Sequence, residues 1–407
     1  MKVDSDAAGM DAARLRRIDE HLLGRFVEPG KIAGCQVLIA RRGQVAHFSS
    51  LGSMDRERAK PVEDDTIWRL YSMTKPVTGV ALLTLYERGL FHLDDPVHRF
   101  IPAWRDLKVR ARNADGTRRL VEPQRPMRMR DLLMHMSGLG YALDNSDITV
   151  EILRRPPADR FGADATLETL TERLAEAPLR FHPGTRWLYS WSTDICGRLV
   201  EIISGQRFDE YLRTTIFEPL GMVDTGFTVP DSEIDRFAAC YTRDDDKRLV
   251  LLDDPQRSRY RRPATFLSGG GGLVATTADY LRFCQMLLND GELDGVRILG
   301  RKTVELMRSN HLPNGGQLAD VALHGGYGEV GFDGMGFGLT VAVSLGPVAT
   351  HVVGSAGEYM WGGAASTLFW IDPAEDLLAI FMTQLIPSGT FNFRAQLKTL
   401  TYAALTD

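Results

Sequence analysis

Between residues 11 and 26 the apolar residues Leu15, Ile18, Leu22 and Leu23 recur at helical spacing, and this single stripe predicts an amphipathic helix. Two strand-like runs follow, residues 34–40 and 44–51, separated by the turn signal Arg41-Arg42-Gly43; they predict a hairpin. The next run, Val77, Val80, Ala81, Leu82, Leu83 and Leu85, is apolar on nearly every side and stops at Gly89, which predicts a buried helix. From about residue 90 to 263 the pattern gives helices and long loops, with helices at 131–136, 167–175, 192–205 and 208–217. A glycine run at 268–272 and a capped helix at 277–288 follow. Strand signals then return at 337–344, 348–353, 365–371 and 377–383, and a helix at 393–405 closes the chain.

Strands at both ends and helices between them predict an α/β (α+β) chain. One antiparallel sheet, flanked by helices, is assembled from residues 1–95 and 264–407, with a mostly helical domain inserted at 96–263. The buried helix lies at the seam, where sites are commonly found. The length, 407 residues, fits two or three structural units.

Hydrophobic residues make 44% and charged residues 25% of the chain, with net charge −5, the balance of an ordinary globular protein. The Arg-rich run at 110–130 is interrupted by Asp115 and Glu122 and lacks aromatics, so it reads as a solvated loop and not a nucleic-acid patch. The four cysteines form no C-x-x-C and sit in apolar contexts, which predicts buried free thiols and a reducing compartment. No apolar h-region follows Met1 and no long uncharged apolar window occurs, so a cytoplasmic protein without a membrane partner is expected.

Chemistry concentrates at the start of the buried helix, in Ser72-Met73-Thr74-Lys75. Pro76 is tolerated only in a first turn, which puts Ser72 at the helix start and Lys75 on the same face. An amine in an apolar place loses basicity or finds a partner, and an amine near neutrality can take a proton from a serine. A second proton-handling group is then needed. Tyr189, on an aromatic loop with Trp187 and Trp191 ahead of a capped helix, is the candidate; its phenol, ordinarily near pKa 10, is lowered by a close ammonium.

Other patterns point elsewhere and are set aside. No serine has a glycine two positions before it, so a G-x-S-x-G elbow is absent. Gly326-x-Gly328-x-x-Gly331 has neither a preceding strand nor a following helix, so no dinucleotide is expected. No H-E-x-x-H occurs, and no metal is expected.

Taken together, Ser72-Met73-Thr74-Lys75, Tyr189-Ser190-Trp191 and Trp361-Gly362-Gly363 resemble the three motifs of the serine β-lactamase and penicillin-binding-protein superfamily. The Trp-Gly-Gly form resembles the class C β-lactamase-like esterases, the family VIII carboxylesterases. The flanking stretches around His135, Pro219 and Gly270 agree, and the order is kept from about residue 12 to 400. The resemblance implies a β-lactamase/transpeptidase-like fold and a serine esterase of short to medium acyl chains working without a cofactor. Ser72 would be the nucleophile, Lys75 and Tyr189 the acid/base pair, and the backbone N–H groups of Ser72 and Ala364 the oxyanion hole. Trp361, Gly362, Gly363 and Trp191 would contact a small-molecule ester. His135 belongs to a structural motif in that family. Trp191 and Trp361 replace the asparagine and lysine of the lactamases, which shifts the expectation from β-lactams to neutral esters. A β-lactamase, an amide or D-amino-acid peptidase and an acyltransferase are the alternatives on the same scaffold, and a non-catalytic penicillin-binding sensor is a further one. The reading allows a homo-oligomer.

Overall fold

The computed structural model describes residues 1–141, 165–323 and 327–407. Its centre is an eight-stranded antiparallel sheet drawn from both ends of the chain. The early strands are β1 (Gly34–Arg41), β2 (Gln44–Asp55) and β3 (Lys60–Pro61). The late ones are β4 (Met335–Phe337), β5 (Ala342–Ser344), β6 (Tyr359–Gly362), β7 (Leu368–Asp372) and β8 (Leu377–Thr383). The order is β4-β5-β6-β7-β8-β1-β2-β3. The two ends of the chain therefore join at the β8–β1 ladder, where Val37 faces Phe381 and Leu38 faces Ile380.

Both faces of this sheet are covered. Phe369 pairs with Ile380, so these two share a face and the next residue, Phe381, points to the other. Phe381 packs on Phe393 with ring centroids 4.9 Å apart, while Phe369 packs on Tyr280 at 5.4 Å. One face is thus covered by α5 (Phe393–Tyr402), which packs beside α1 (Ala12–Leu22), and the other by α4 (Thr277–Leu288). Double coverage explains why β1 and β8 are buried at every position and read as continuous apolar runs. The apolar helix is α2 (Thr74–Glu87), buried from Thr74 through Leu85 and packed against α3 (Ser192–Ser204). One hydrophobic core runs from Ala8 to Ala404 and takes side chains from the sheet and from the segment between its two halves.

Several stretches, β6 among them, differ from the sequence expectation. Residues 348–353 are not a strand: Pro347–Thr350 is a single helical turn, Val348 is 87% exposed, and His351 takes φ 56°. Apolar residues on an exposed turn mimicked a strand. Residues 337–344 are split between β4 and β5, because Thr340 at φ 70° turns the chain between them. The 90–263 stretch holds two hairpins, Val109–Arg112 with Arg118–Val121 and Cys240–Arg243 with Leu249–Asp253, where a mostly helical domain with little strand was expected. The first overlaps the Arg-rich run; its second strand is largely exposed and its first is buried only at Val109, so burial imposed no alternation on their sequence.

Among the described residues no helix is long and apolar enough to cross a membrane. Cys35, Cys196, Cys240 and Cys284 are buried free thiols. Gly326 of the dinucleotide-like pattern lies outside the described residues.

Candidate active site

Ser72 sits on a single 3₁₀ turn, Tyr71–Met73, that runs directly into α2. The nucleophile candidate thus precedes the α-helix and is not inside its first turn. Tyr71 takes φ 45°, a costly conformation for a residue with a Cβ. The surroundings fix it. Leu70 N–H donates to Leu273 O at 3.0 Å, the Tyr280 hydroxyl donates to Met73 O at 3.0 Å, and Leu273 N–H donates to Thr74 Oγ1 at 3.1 Å.

Lys75 is fully buried. Its Nζ donates to Ser72 Oγ at 3.2 Å and to Gly270 O at 2.6 Å. Burial of the charged form lowers its pKa from 10.5 to about 8, against the opposing pull of the Asp194 and Glu329 carboxylates.

The carbonyl that receives Lys75 belongs to the glycine run, and the run is tied to two helices. Thr78 Oγ1 on α2 donates to Gly269 O at 2.7 Å. Asp194 on α3 accepts from Ser268 Oγ at 2.6 Å and from Gly270 N–H at 3.1 Å. A Cβ on Gly270 would lie 2.4 Å from Asp194 Oδ2, and one on Gly269 would lie 2.7 Å from Thr193 O. The two helices leave no space for side chains there, which is why these positions are glycine. Asp194 is itself buried, and burial raises its pKa.

Tyr189 lies on irregular chain ahead of α3, in an aromatic cluster with Trp361 at 5.5 Å and Tyr141 at 5.6 Å between ring centroids. Its phenolic oxygen accepts from Trp361 Nε1–H at 3.4 Å, and the Ser72 hydroxyl lies near enough to pull the phenol's pKa down in part. Lys75 Nζ stands 4.4 Å from the centre of the ring and so faces its π surface. The expectation that a close ammonium lowers this phenol is corrected: burial, reinforced by Glu329 and Tyr141, raises its pKa well above 10. Ser72, Lys75 and Tyr189 are therefore brought together, with the amine made a readier base and the phenol held protonated.

Ala364 lies in the turn joining β6 to β7. Ser72, Tyr189, Trp191 and Ala364 all line one cavity of about 390 Å³. Gly363 permits this approach, because a Cβ there would come 2.3 Å from Leu70 O, the carbonyl just ahead of the Ser72 turn. Trp361, Gly362 and Gly363, expected to contact substrate, are buried beside the cavity and not on its wall; Trp361 acts on Tyr189 instead. His135 hydrogen-bonds Ser190 Oγ at 3.2 Å and Thr193 Oγ1 at 3.4 Å, and burial keeps it neutral. It braces the residues flanking Tyr189.

Sequence reasoning missed Asp194 and Glu329. Asp194 had a signal, an acid in the first turn of a predicted helix, directly before the apolar Ile195 and Cys196. Glu329 had none, since it lies in a glycine-dense stretch without periodicity. It lines the cavity, accepts from Ser388 Oγ at 2.9 Å, and leaves Oε1 buried without a partner among the described residues. No group of acidic, His and Cys residues suited to a metal occurs among the described residues.

A family model described as Beta-lactamase matches residues 20–403. Protein Rv1367c of Mycobacterium tuberculosis is 32% identical over 363 residues, 88% of each chain. Esterase EstB of Burkholderia gladioli is 30% identical over 413 residues, 95% of each chain. Among solved structures, "EstCE1, a hydrolase with promiscuous acyltransferase activity" matches with a TM-score of 0.77 at 26% identity, covering 96% of this chain and 98% of its own.

Proposed function

The chain belongs to the β-lactamase family, and from that premise we propose that it is a serine hydrolase cleaving carboxylic esters through an acyl-enzyme on Ser72. The observation that carries the reading is a buried amine of pKa about 8 placed 3.2 Å from the Ser72 hydroxyl. The neutral Lys75 amine takes the Ser72 proton as Oγ attacks the ester carbonyl carbon. The oxyanion is received by the backbone N–H groups of Ser72 and Ala364. Tyr189 gives its proton to the leaving alkoxide and recovers one from the Lys75 ammonium. Water then attacks the acyl-enzyme along the same path, and the acid departs.

Two features favour esters. The cavity is walled by Tyr141, Tyr189, Trp191 and Phe266, an apolar lining for short to medium acyl chains. Trp361 stands where the lactamase motif carries a lysine, so the third motif supplies no cation for a β-lactam carboxylate. The name of EstB supports hydrolysis of esters. Acyl transfer to an alcohol is the second reading, favoured by the description of EstCE1.

Incubation with 4-nitrophenyl butyrate, followed by intact-mass measurement, is expected to show a transient adduct of one butyryl group alongside continuous release of 4-nitrophenol. A permanent adduct with a single equivalent released would make the protein a trap, and product analysis with added alcohol separates transfer from hydrolysis. Gly270→Ala is expected to push the loop off Asp194 and carry the Gly270 carbonyl away from Lys75. A shift on the order of 1 Å costs roughly 10²-fold, so kcat/KM for the same ester should fall by that order. An unchanged value would separate the loop from catalysis.

A further inference from the structure

A second cavity, of about 490 Å³, lies beside the catalytic one and shares Arg259, Phe266 and Ser268 with it. Its wall carries three guanidinium groups, Arg257, Arg259 and Arg262, and no carboxylate among the described residues. Phe227, Pro263 and Phe266 supply apolar surface between them. Arg257 and Arg262 are exposed and make no salt bridge or side-chain hydrogen bond with the described residues.

The neighbouring acids are committed elsewhere. Both Asp254 oxygens accept from Arg58 Nη2, at 2.9 and 3.0 Å. Asp253 accepts from Arg69 Nε at 2.9 Å and from the Ser258 hydroxyl at 3.1 Å. Arg261, between the cavity arginines in sequence, is already paired with Asp231 at 2.7 Å. Arg259 has a partner of its own, and Asp254 acts on Arg257 only through space, so Arg257 and Arg262 present their guanidinium groups at the edge of the catalytic cavity without a salt bridge among the described residues.

We propose that the Arg257/Arg262 cavity is an anion subsite of the active site, taking the carboxylate or phosphate of an ester whose apolar body lies against Phe266. The proposal rests on the esterase reading and adds the substrate class: esters carrying a negative group on the acyl or the alcohol side. Exposed cations hold an anion weakly and are screened by salt. They act mainly on encounter and orientation, so the expected preference is on the order of 3- to 30-fold in kcat/KM at low ionic strength.

Two matched pairs test it. Mono-4-nitrophenyl glutarate against 4-nitrophenyl pentanoate places the charge on the acyl side, and 4-acetoxybenzoate against 4-acetoxybenzamide places it on the leaving side. In at least one pair the anionic member should be preferred, and the ratio should approach one in the Arg257→Gln/Arg262→Gln double variant and in concentrated salt. A ratio at or below one in both pairs, or a preference untouched in the double variant, overturns the subsite. Calorimetry with Ser72→Ala protein and the same esters reads binding without turnover. Tighter binding of the anion with no esterase activity in the parent protein would leave the subsite standing and sink the hydrolase reading. Turnover of the neutral esters without a preference would do the reverse.

Discussion

Ser72→Ala is expected to abolish turnover of 4-nitrophenyl butyrate, lowering kcat on the order of 10⁴- to 10⁶-fold, the loss seen when a serine nucleophile is removed and only binding and oxyanion donors remain. The fold should tolerate the change. The side chain lost is a single hydroxyl at the cavity wall, and Lys75 keeps its 2.6 Å hydrogen bond to Gly270 O. The turn that holds the residue is fixed by backbone groups and by the Tyr280 hydroxyl, none of which touch Oγ. The melting temperature should therefore stay within a few degrees of the parent. Progress curves with the purified variant check the expectation, and turnover within a hundredfold of the parent would mean that another group attacks the ester. Because the variant keeps both Lys75 and Tyr189, its residual rate also measures what the amine and phenol achieve by activating water alone.

What could be read from the sequence follows the range of the interactions involved. Ser72 and Lys75 lie three residues apart, so their convergence is local and the apolar run behind them already implied burial. The closure of the sheet from both ends was legible because β1 and β8 are long apolar runs. Strand β6 was not, since it is only four residues long and ends at Gly362 with Gly363 directly after it, and glycine carries no strand signal. The proximity of Tyr189 could be argued only through the resemblance of three motifs, because 114 residues separate it from Lys75. The direction of its pKa was beyond the sequence. That direction depends on the burial of the phenol and on Glu329 and Tyr141 standing near, all products of the assembled site. Asp194 shows the same limit: its acidity is visible in the sequence, but its grip on Gly270 N–H exists only once α3 meets the glycine run.

Lys75→Met is expected to lower kcat/KM on the order of 10²- to 10⁴-fold, the range for a positioned general base, while leaving the protein as stable as the parent or more so at pH 7. Methionine matches the length of the aliphatic stem and brings no charge into the core. The pH dependence identifies the group. The parent needs the neutral amine, so its kcat/KM should rise with pH through about 8 and level off above it, and this limb should vanish in the variant. Stability moves the other way. The folded-state pKa lies below the unfolded value of 10.5, so the unfolded chain binds the proton more tightly. The penalty on the fold is present in full below pH 8 and is relieved as pH rises toward 10.5. A fall from 10.5 to about 8 corresponds to roughly 3 kcal/mol against folding when the amine is charged. Removing the amine lifts that penalty and leaves Gly270 O without its partner, a loss of about 1–3 kcal/mol. The stability difference between variant and parent should thus favour the variant most below pH 8 and shrink as pH rises through that window. Thermal melts across pH 6 to 10, read beside the pH–rate profiles, test both halves. An acid limb that survives in the variant would place the base elsewhere, and a stability difference that does not change with pH would mean that the amine titrates alike in the folded and unfolded chain.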